Sequence, residues 1–369
     1  MKSVIDFIKR EAVLTSAVLL AVLSAFAVPP DSKYLSYIDM RTIGLLFALM
    51  SVVTGFSKMG LIRKTAECIV TGMRGTRGLV TVLWGLCFFS SMVITNDVAL
   101  ITFVPLAVTV LNICHKNKLI IYTVVLQTIA ANLGSMLMPM GNPQNLYIYT
   151  KFNVRFSEFI AITFPVIVLS LVLLFCATLF VKNENIDVSI GATDIKGSKR
   201  KKVMYSLLGL MSILSVVRVI DYRLTAAAVF ICLITADRSV LKKVDWLLLV
   251  TFCAFFVFVG NMGRIESVKS FVMNFVAGRE FGAAVLSSQF ISNVPAAVML
   301  SGFTDNYRAL ILGTDIGGLG TLIASLASLI SFKLYALTEK PEKGKYIAVF
   351  SGLNIIFIVI LIVFKVIFY

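Results

Sequence analysis

Long apolar runs alternate with short polar stretches along this chain, a pattern that is typical of a protein that crosses a membrane many times. A helix needs about 20 apolar residues to cross a bilayer. Nine runs predict full spans, near residues 12–29, 41–57, 119–149, 157–181, 203–219, 224–236, 244–260, 307–332 and 346–369.

Two further apolar stretches, 78–114 and 281–303, are interrupted by polar residues at their centres. The first contains SSMVITNDVALITFVPL, and the second contains SSQFISNVPAAVMLSGF, in which Ser-Asn stands where the first has Thr-Asn. A polar break in the middle of an apolar stretch favours a helical hairpin that enters and leaves on one side. The predicted fold is therefore an all-α membrane protein with about nine full spans and two re-entrant hairpins.

Composition supports the membrane assignment. Hydrophobic residues make up 59% of the 369 residues and charged residues only 14%, which is too apolar for a soluble domain. The net charge of +15 lies in short loops, without a basic helix or interleaved aromatic residues, so nucleic-acid binding is not expected. The cysteines show no CxxC spacing, and we expect neither a zinc site nor a disulfide framework from Cys68, Cys87, Cys114, Cys176, Cys232 and Cys253.

The basic residues also predict an orientation, because loops on the cytoplasmic side of a membrane carry an excess of Lys and Arg. One set of loops contains 23 of these residues: 1–11, 58–77, 115–118, 182–202, 237–243 and 333–345. The opposite loops contain 10, in 30–41, 150–156, 218–223, 261–281 and 304–308. This bias places the N-terminus in the cytoplasm and the C-terminus outside.

The two halves of the chain resemble each other. Besides the two hairpins, ANLGSMLMPMGNPQNLYIY (131–149) aligns with TDIGGLGTLIASLASLISF (314–332). The aligned pairs are Asn132 with Asp315, Gly134 with Gly317, and Asn145 with Ser328. A fainter pair, VVTGFSKMG (52–60) and FVGNMG (258–263), precedes an amphipathic run in each half.

These repeats predict four regions. Residues 1–181 form a first repeat with hairpin 78–114 and broken helix 119–149; 182–202 form a basic cytoplasmic loop; 203–219 form a connecting span; and 220–369 form a second repeat with hairpin 281–303 and broken helix 307–332. Because one extra span joins them, the repeats should insert with opposite orientation. Inverted repeats with interrupted helices indicate a secondary transporter whose site lies at the repeat interface.

The polar breaks supply the candidate chemistry. Unwound backbone at membrane depth is tolerated only where protein buries it or where it lines a watery cavity. Half-helix N-termini attract anions, and unwound carbonyls hold cations. The predicted unwinding residues are Gly134, Pro139, Gly141, Pro143, Gly317, Gly318 and Gly320, although the three later glycines could instead permit close helix packing. The predicted substrate-binding residues are Thr95, Asn96, Asn142, Asn145, Ser292, Asn293 and Thr321.

We expect ion coupling at Asp97, Asn132 and Asp315, since an ionisable residue in a membrane interior indicates function. Each carboxylate could hold a cation or carry a proton; the alternative is that Asp97 and Asp315 serve as helix caps. Asn96, Asp97 and Asn293 are a possible sodium site. No other metal and no cofactor is predicted.

Four motifs, ITNDVALITFVPL, LGSMLMPMGNPQNL, QFISNVPAAVML and GTDIGGLGTLIASLASL, resemble those of the ion transporter superfamily. This superfamily includes divalent anion/sodium symporters, metal–citrate carriers, arsenite permeases and sodium/proton antiporters, and the chain is most similar to its citrate-transporter-like permeases. The resemblance implies a homodimer in which a transport domain moves as an elevator against a scaffold domain. The Asn96-Asp97 pair is more like the arsenite-permease branch, whose substrate is a neutral or monoanionic oxyacid.

The expected function is therefore ion-coupled transport of a small anion, a carboxylate or an inorganic oxyanion, with sodium or protons across a bacterial or archaeal cytoplasmic membrane. Two alternatives stay open: a sodium/proton antiporter or arsenite-type efflux permease, and an uncoupled channel or scramblase. An enzyme is not expected, because the chain contains neither HExxH, nor a GxGD-spaced aspartate pair, nor a phosphate-binding loop.

Overall fold

The computed structural model describes residues 11–188 and 198–369, so the first ten residues and the middle of the predicted basic loop lie outside it. Within the described ranges the chain forms α-helices and two short 3₁₀ turns, with no β-strand. The prediction of an all-α protein is therefore confirmed for this part of the chain.

The described α-helices lie on both sides of the predicted basic loop, which divides the chain into two halves. The first half contains α1 (Ala12–Ala27), α2 (Tyr34–Tyr37), α3 (Met40–Lys58), α4 (Leu61–Val70), α5 (Thr76–Ile94), α6 (Asn96–Ile113), α7 (Ile120–Gly134), α8 (Pro143–Lys151) and α9 (Phe156–Leu179). The second contains α10 (Lys199–Val216), α11 (Tyr222–Ala236), α12 (Arg238–Leu241), α13 (Trp246–Met262), α14 (Glu266–Val276), α15 (Glu280–Ile291), α16 (Asn293–Leu300), α17 (Tyr307–Gly317), α18 (Leu326–Ala336) and α19 (Lys343–Phe368).

In the described ranges, five helices are long and apolar enough to cross a membrane: α3, α5, α6, α9 and α19. A sixth candidate is the α13–α14 pair, which is bent by 102°. The amphipathic helices α4 and α14 each follow a long apolar helix, as the sequence predicted. A membrane protein with several apolar helices is thus confirmed, whereas the number of crossings stays a prediction.

Both predicted hairpins turn at a single residue. Helices α5 and α6 meet at Thr95 (φ 69°, ψ 150°), and α15 and α16 meet at Ser292 (φ 73°, ψ 153°). A positive φ at a residue other than glycine costs on the order of 1–3 kcal/mol and persists only where the surrounding structure enforces it. The arms differ in length: α5 and α6 have 19 and 18 residues, whereas α15 and α16 have 12 and 8.

Both predicted broken helices are interrupted. Between α7 and α8 the chain passes through the 3₁₀ turn Pro139–Gly141, and α8 begins with Pro143 after its N-cap, Asn142. The Asn142 side chain accepts a hydrogen bond from the Asn145 amide at 2.9 Å. In the second half α17 ends at Gly317, and Ser325 caps α18 by accepting from the Ala327 amide at 3.1 Å. Each second half-helix thus begins at a polar N-cap.

Two glycines predicted to unwind the helices also lie in close helix contacts. Gly134 and Gly317 are the last residues of α7 and α17, and each faces the first arm of the adjacent hairpin. A Cβ at Gly134 would lie 2.1 Å from the Phe88 carbonyl oxygen, and one at Gly317 would lie 2.9 Å from the Ser288 Cβ. A side chain at either position would therefore meet the adjacent hairpin arm, and the unwinding role of the two glycines stays a prediction. Gly320, in contrast, lies within the second break with a φ of 105°.

A buried ion cluster joins α3, α10 and the end of α11. Asp237, only 7% exposed, accepts hydrogen bonds from Lys58 Nζ at 2.7 Å and from Tyr205 Oη at 3.3 Å. Lys201 Nζ lies 3.1 Å from Asp237 Oδ2, the oxygen that also accepts from Tyr205. Burial opposes ionisation, but the hydrogen bonds from the two lysines and Ser239 outweigh it and lower the pKa of Asp237 from 3.8 to about 2. This cluster fixes the end of α3, whose Lys58 lines the same cavity as Asn142 and Pro143 of the first break.

Candidate functional site

A cavity of about 590 Å³ lies between the first hairpin tip and the first helix break. The tip contributes Thr95 and Asp97, and the break contributes Asn142 and Pro143. Side chains of α3 form an apolar wall, and the remaining charged lining residues are Lys58, Lys243 and Asp245. The structure therefore brings four of the predicted site residues to one cavity, which is large enough for a small solute.

Asp97 is the second residue of α6, and its Oδ1 is buried without a hydrogen-bond partner. It therefore makes no cap interaction through that oxygen, contrary to the alternative interpretation of this residue. The nearby α6 N-terminus favours negative charge. A buried carboxylate oxygen without a donor is nevertheless costly, so a cation or a proton at Asp97 would stabilise the site.

The neighbouring Asn96 is not among the residues that line this cavity, and through Asn132 it links the first tip to the second half of the chain. Its Nδ2 donates to Asn132 Oδ1 at 3.2 Å. The same oxygen accepts from Ser325 Oγ at 3.0 Å, and Asn132 Nδ2 donates to Ser328 Oγ at 3.4 Å. The end of α7 is thus bound to the beginning of α18.

Asp315, near the end of α17, is surrounded by amide groups of the first break. Its Oδ1 accepts from Asn142 Nδ2 at 3.1 Å and from Gln144 Nε2 at 3.3 Å, and its Oδ2 accepts from Asn145 Nδ2 at 2.9 Å. Asp315 therefore makes no cap interaction within its own helix. Three neutral donors replace the water that a carboxylate would otherwise need, which lets the charge stay in a buried position.

These two sets of contacts have the same pattern. Asn132 contacts Ser325 and Ser328, whereas Asp315 contacts Asn142 and Asn145. In the alignment of 131–149 with 314–332, Asn132 corresponds to Asp315, and Asn142 and Asn145 correspond to Ser325 and Ser328. In each case the end of the first half-helix of one repeat meets the start of the second half-helix of the other. The pattern is what two repeats that cross at a shared centre would produce.

The second hairpin tip contacts its own helix break. The backbone N–H of Asn293 donates to the Ala324 carbonyl at 2.9 Å, and Ser292 Oγ lies 3.5 Å from the same oxygen. In the described ranges no hydrogen bond joins the two tips directly. Asn293 therefore makes no hydrogen bond to Asn96 or Asp97, and the three-residue sodium site stays a prediction.

Thr321 lies outside the cavity. It is exposed, its amide donates to Gln289 Oε1 at 2.9 Å, and its hydroxyl donates to the Gln289 carbonyl at 3.0 Å. Gln289 was missed by the sequence reasoning. Its Nε2 donates to the carbonyls of Gly317 and Leu319 at 2.8 and 3.0 Å, so it satisfies backbone groups that the second break leaves unpaired. Its position three residues before Ser292 was the available signal.

The structure adds two observations on metal and sulfur chemistry. Within residues 11–188 and 198–369, no group of three or more His, Cys, Asp or Glu side chains could hold a metal ion. All six cysteines are free thiols.

Comparison with known proteins identifies relatives along almost the whole chain. The sequence model of the citrate transporter family matches residues 4–307. An uncharacterized transporter of Methanocaldococcus jannaschii is 29% identical over 337 residues, which cover 90% of this chain and 91% of the relative. The inner membrane protein YbiR of Escherichia coli is 30% identical over 330 residues, 86% of each chain. The silicon efflux transporter LSI3 of Oryza sativa is 33% identical over 150 residues, 40% of this chain and 29% of the relative.

Proposed function

Because the chain belongs to the citrate transporter family, we propose that it is a secondary transporter that moves a small anion, a carboxylate or an inorganic oxyanion, together with sodium or protons. The observation that carries this proposal is the cavity in which Thr95 and Asp97 face Asn142 and Pro143. It combines helix N-termini, which attract an anion, with a carboxylate that can take a cation. The charge bias of the loops supports a cytoplasmic membrane location with the N-terminus inside.

The repeat architecture supplies the proposed mechanism. The paired contacts at Asn132 and Asp315 support two repeats of opposite orientation, residues 1–181 and 220–369, joined by the loop 182–202 and the span 203–219. In a homodimer, the hairpins and broken helices would move as a transport domain against a scaffold of the remaining long helices. Inverted repeats can exchange equivalent conformations, which is the usual structural basis of alternating access.

Asp97 is the proposed centre of coupling. An anion in the cavity is repelled by an ionised Asp97, and this repulsion is strong where water is scarce. Sodium or a proton at Asp97 removes the repulsion, so each ligand strengthens the binding of the other. The anion then contacts Thr95, Asn142 and the amide groups at the start of α6 and α8.

Asp315 and Asn132 take the second coupling role in this proposal. Both connect one repeat to the other through hydrogen bonds, so a change in the charge or hydration of Asp315 alters contacts made by Asn142 and Asn145. These two amides also belong to the first break, which lines the cavity through Asn142. In this proposal, ion binding at Asp315 thereby changes the contacts that Asn142 makes with the substrate.

One observation favours a second candidate. Lys58, a basic residue of the cavity lining, forms an ion pair with Asp237, whereas Asp97 Oδ1 has no partner. A neutral oxyacid or a cation alone suits such a cavity better than a dianion does. The alternative function is therefore an arsenite-type efflux permease or a sodium/proton antiporter, and the similarity to a silicon efflux transporter agrees with the former.

The test is transport by the full chain in proteoliposomes under an imposed sodium or proton gradient, with citrate, succinate, sulfate and arsenite as solutes. One gradient should drive accumulation of one solute. Asp97→Asn should abolish gradient-driven accumulation, because the amide can neither carry a proton nor supply a negative charge. The matched control is Asp305→Asn, which changes an exposed aspartate and should transport normally.

A second pair of variants tests the hairpin tips. Asn96→Ala/Asn293→Ala should lower the transport rate at least tenfold, because the first substitution breaks the bond to Asn132 and the second removes a side chain that is proposed to bind the substrate. Asn274→Ala, at an exposed position of α14, is the control. Unimpaired, still-coupled transport by the double variant would contradict the site. Equilibration of solutes without accumulation would indicate a channel or scramblase, and sodium/proton exchange without any anion would indicate the antiporter.

A further inference from the structure

A second cleft, of about 550 Å³, lies at the turn between α6 and α7, at the opposite end of α6 from the first hairpin tip. The turn contributes His115, Lys116, Asn117, Lys118 and Leu119, and the segment after α9 contributes Lys182 and Glu184. The predicted orientation places this end of the helices at the cytoplasmic surface. None of these residues belongs to the proposed transport site.

The cleft has an excess of positive charge. Glu184 accepts a hydrogen bond from Lys116, and its other oxygen lies 3.6 Å from Lys182 Nζ. The hydrogen bond from Lys116 lowers the pKa of Glu184, so this carboxylate is ionised at neutral pH. Among the residues that line the cleft, three lysines and one carboxylate leave an excess of two positive charges, and Lys118 is exposed.

The walls of the cleft are held by the fold. On one side, Thr76 Oγ1 donates to the Lys182 carbonyl at 2.7 Å and accepts from the Glu184 amide at 2.9 Å. On the other side, His115 has a positive φ of 55°, and the Lys116 amide donates to the Leu111 carbonyl at 2.8 Å. These contacts fix the backbone from which the lysine side chains extend, so less backbone order has to be gained on binding.

An apolar surface adjoins the cleft. Leu179 and Phe180, at the end of α9 just before Lys182, are 62% and 86% exposed. Arg77 donates hydrogen bonds to the carbonyls of Leu179 and Val181 and so fixes this end of the helix. A basic cleft beside exposed apolar side chains, at the boundary of a membrane, has the two parts that an anionic phospholipid requires: a site for the phosphate and a surface for the acyl chains.

We propose that the cleft formed by His115, Lys116, Lys118 and Lys182 binds the phosphate headgroup of an anionic phospholipid, whose acyl chains lie along Leu179 and Phe180. Lys118 and Lys182 contact the phosphate oxygens. Glu184 competes with the lipid for Lys116 and Lys182, which keeps the affinity moderate and the binding reversible.

The experiment is lipid binding to the purified full chain in detergent, with native mass spectrometry to count bound phosphatidylglycerol as its concentration is raised. Lys118→Gln/Lys182→Gln should weaken binding about 30-fold, from the usual contribution of a lysine near an anionic membrane surface. Lys199→Gln/Lys242→Gln removes the same charge at exposed positions of the same predicted side and should weaken it less than about threefold. Glu184→Gln should tighten binding, an outcome that a misfolded variant cannot produce.

Phosphatidylcholine is the comparison lipid without net charge, and inorganic pyrophosphate is the soluble competitor for the cleft. Weak binding of phosphatidylcholine, together with poor competition by millimolar pyrophosphate, would support a phospholipid site. Equal losses in the two double-lysine variants would overturn the proposal, because they would show that only net charge matters. Displacement of the lipid by pyrophosphate at equal concentration would also overturn it, since the cleft would then be a site for a soluble phosphate.

Discussion

Gly134 provides the sharpest test of the helix packing beside the first helix break. The glycine ends α7, and a Cβ there would lie 2.1 Å from the Phe88 carbonyl oxygen, whereas ordinary van der Waals contact begins near 3.4 Å. The obstructing atom belongs to the backbone of α5 and cannot rotate away. Alanine at this position must therefore push α5 and α7 apart.

The expected change in the free energy of unfolding of Gly134→Ala combines two opposing contributions. Overpacking a close helix contact costs about 3 kcal/mol at the upper end of its usual range. Replacing a helical glycine by alanine stabilises the helix by about 1 kcal/mol. Gly134→Ala should thus lower the free energy of unfolding by about 2 kcal/mol. Gly85→Ala, in the same helix as Phe88 but with no atom within 4 Å of its Cβ, should raise it by about 0.5–1 kcal/mol.

Thermal unfolding of the detergent-solubilised chain at one fixed scan rate measures this difference. Gly134→Ala should unfold several degrees below the wild type, and Gly85→Ala should unfold at or above it. Gly317→Ala, whose Cβ would meet Ser288 at 2.9 Å, should resemble Gly134→Ala with a smaller shift. If Gly134→Ala is as stable as Gly85→Ala, the close approach of α5 and α7 is not the reason for glycine at this position.

Two further predictions concern buried polar pairs. The pKa of Asp237, lowered from 3.8 to about 2, contributes about 2 kcal/mol of stability that is complete above about pH 5 and is lost as the pH falls towards 2. Asp237→Asn should therefore cost about 2 kcal/mol at pH 7 and flatten the acid limb of the stability curve, measured by unfolding midpoints between pH 3 and 7. Trp84 Nε1 donates to Thr178 Oγ1 at 2.8 Å in a buried position, so Trp84→Phe and Thr178→Val should each cost about 1–2 kcal/mol. A double-mutant cycle should find the two losses non-additive, and additive losses would argue against the bond.

The sequence by itself determined the membrane class, the all-α fold and the location of the two helix breaks. Backbone groups cannot remain unpaired in a bilayer, so long apolar runs must be helices. For the same reason, Thr95-Asn96 and Ser292-Asn293 could be recognised as turning points. The motifs around them were sufficient to predict the family, and the family comparison confirmed it.

Only the tertiary structure decided which polar residues meet. Asn132 with Ser325, and Asp315 with Asn145, are pairs from opposite halves of the chain. Their contacts depend on how the half-helices rotate and approach, which hydrophobic periodicity does not specify in segments that are apolar on every side. The same cause explains why Gly134 and Gly317 face the adjacent hairpin arms and why Thr321 lies outside the cavity. Helix packing, which brings residues distant in the chain to one place, assembled the candidate site.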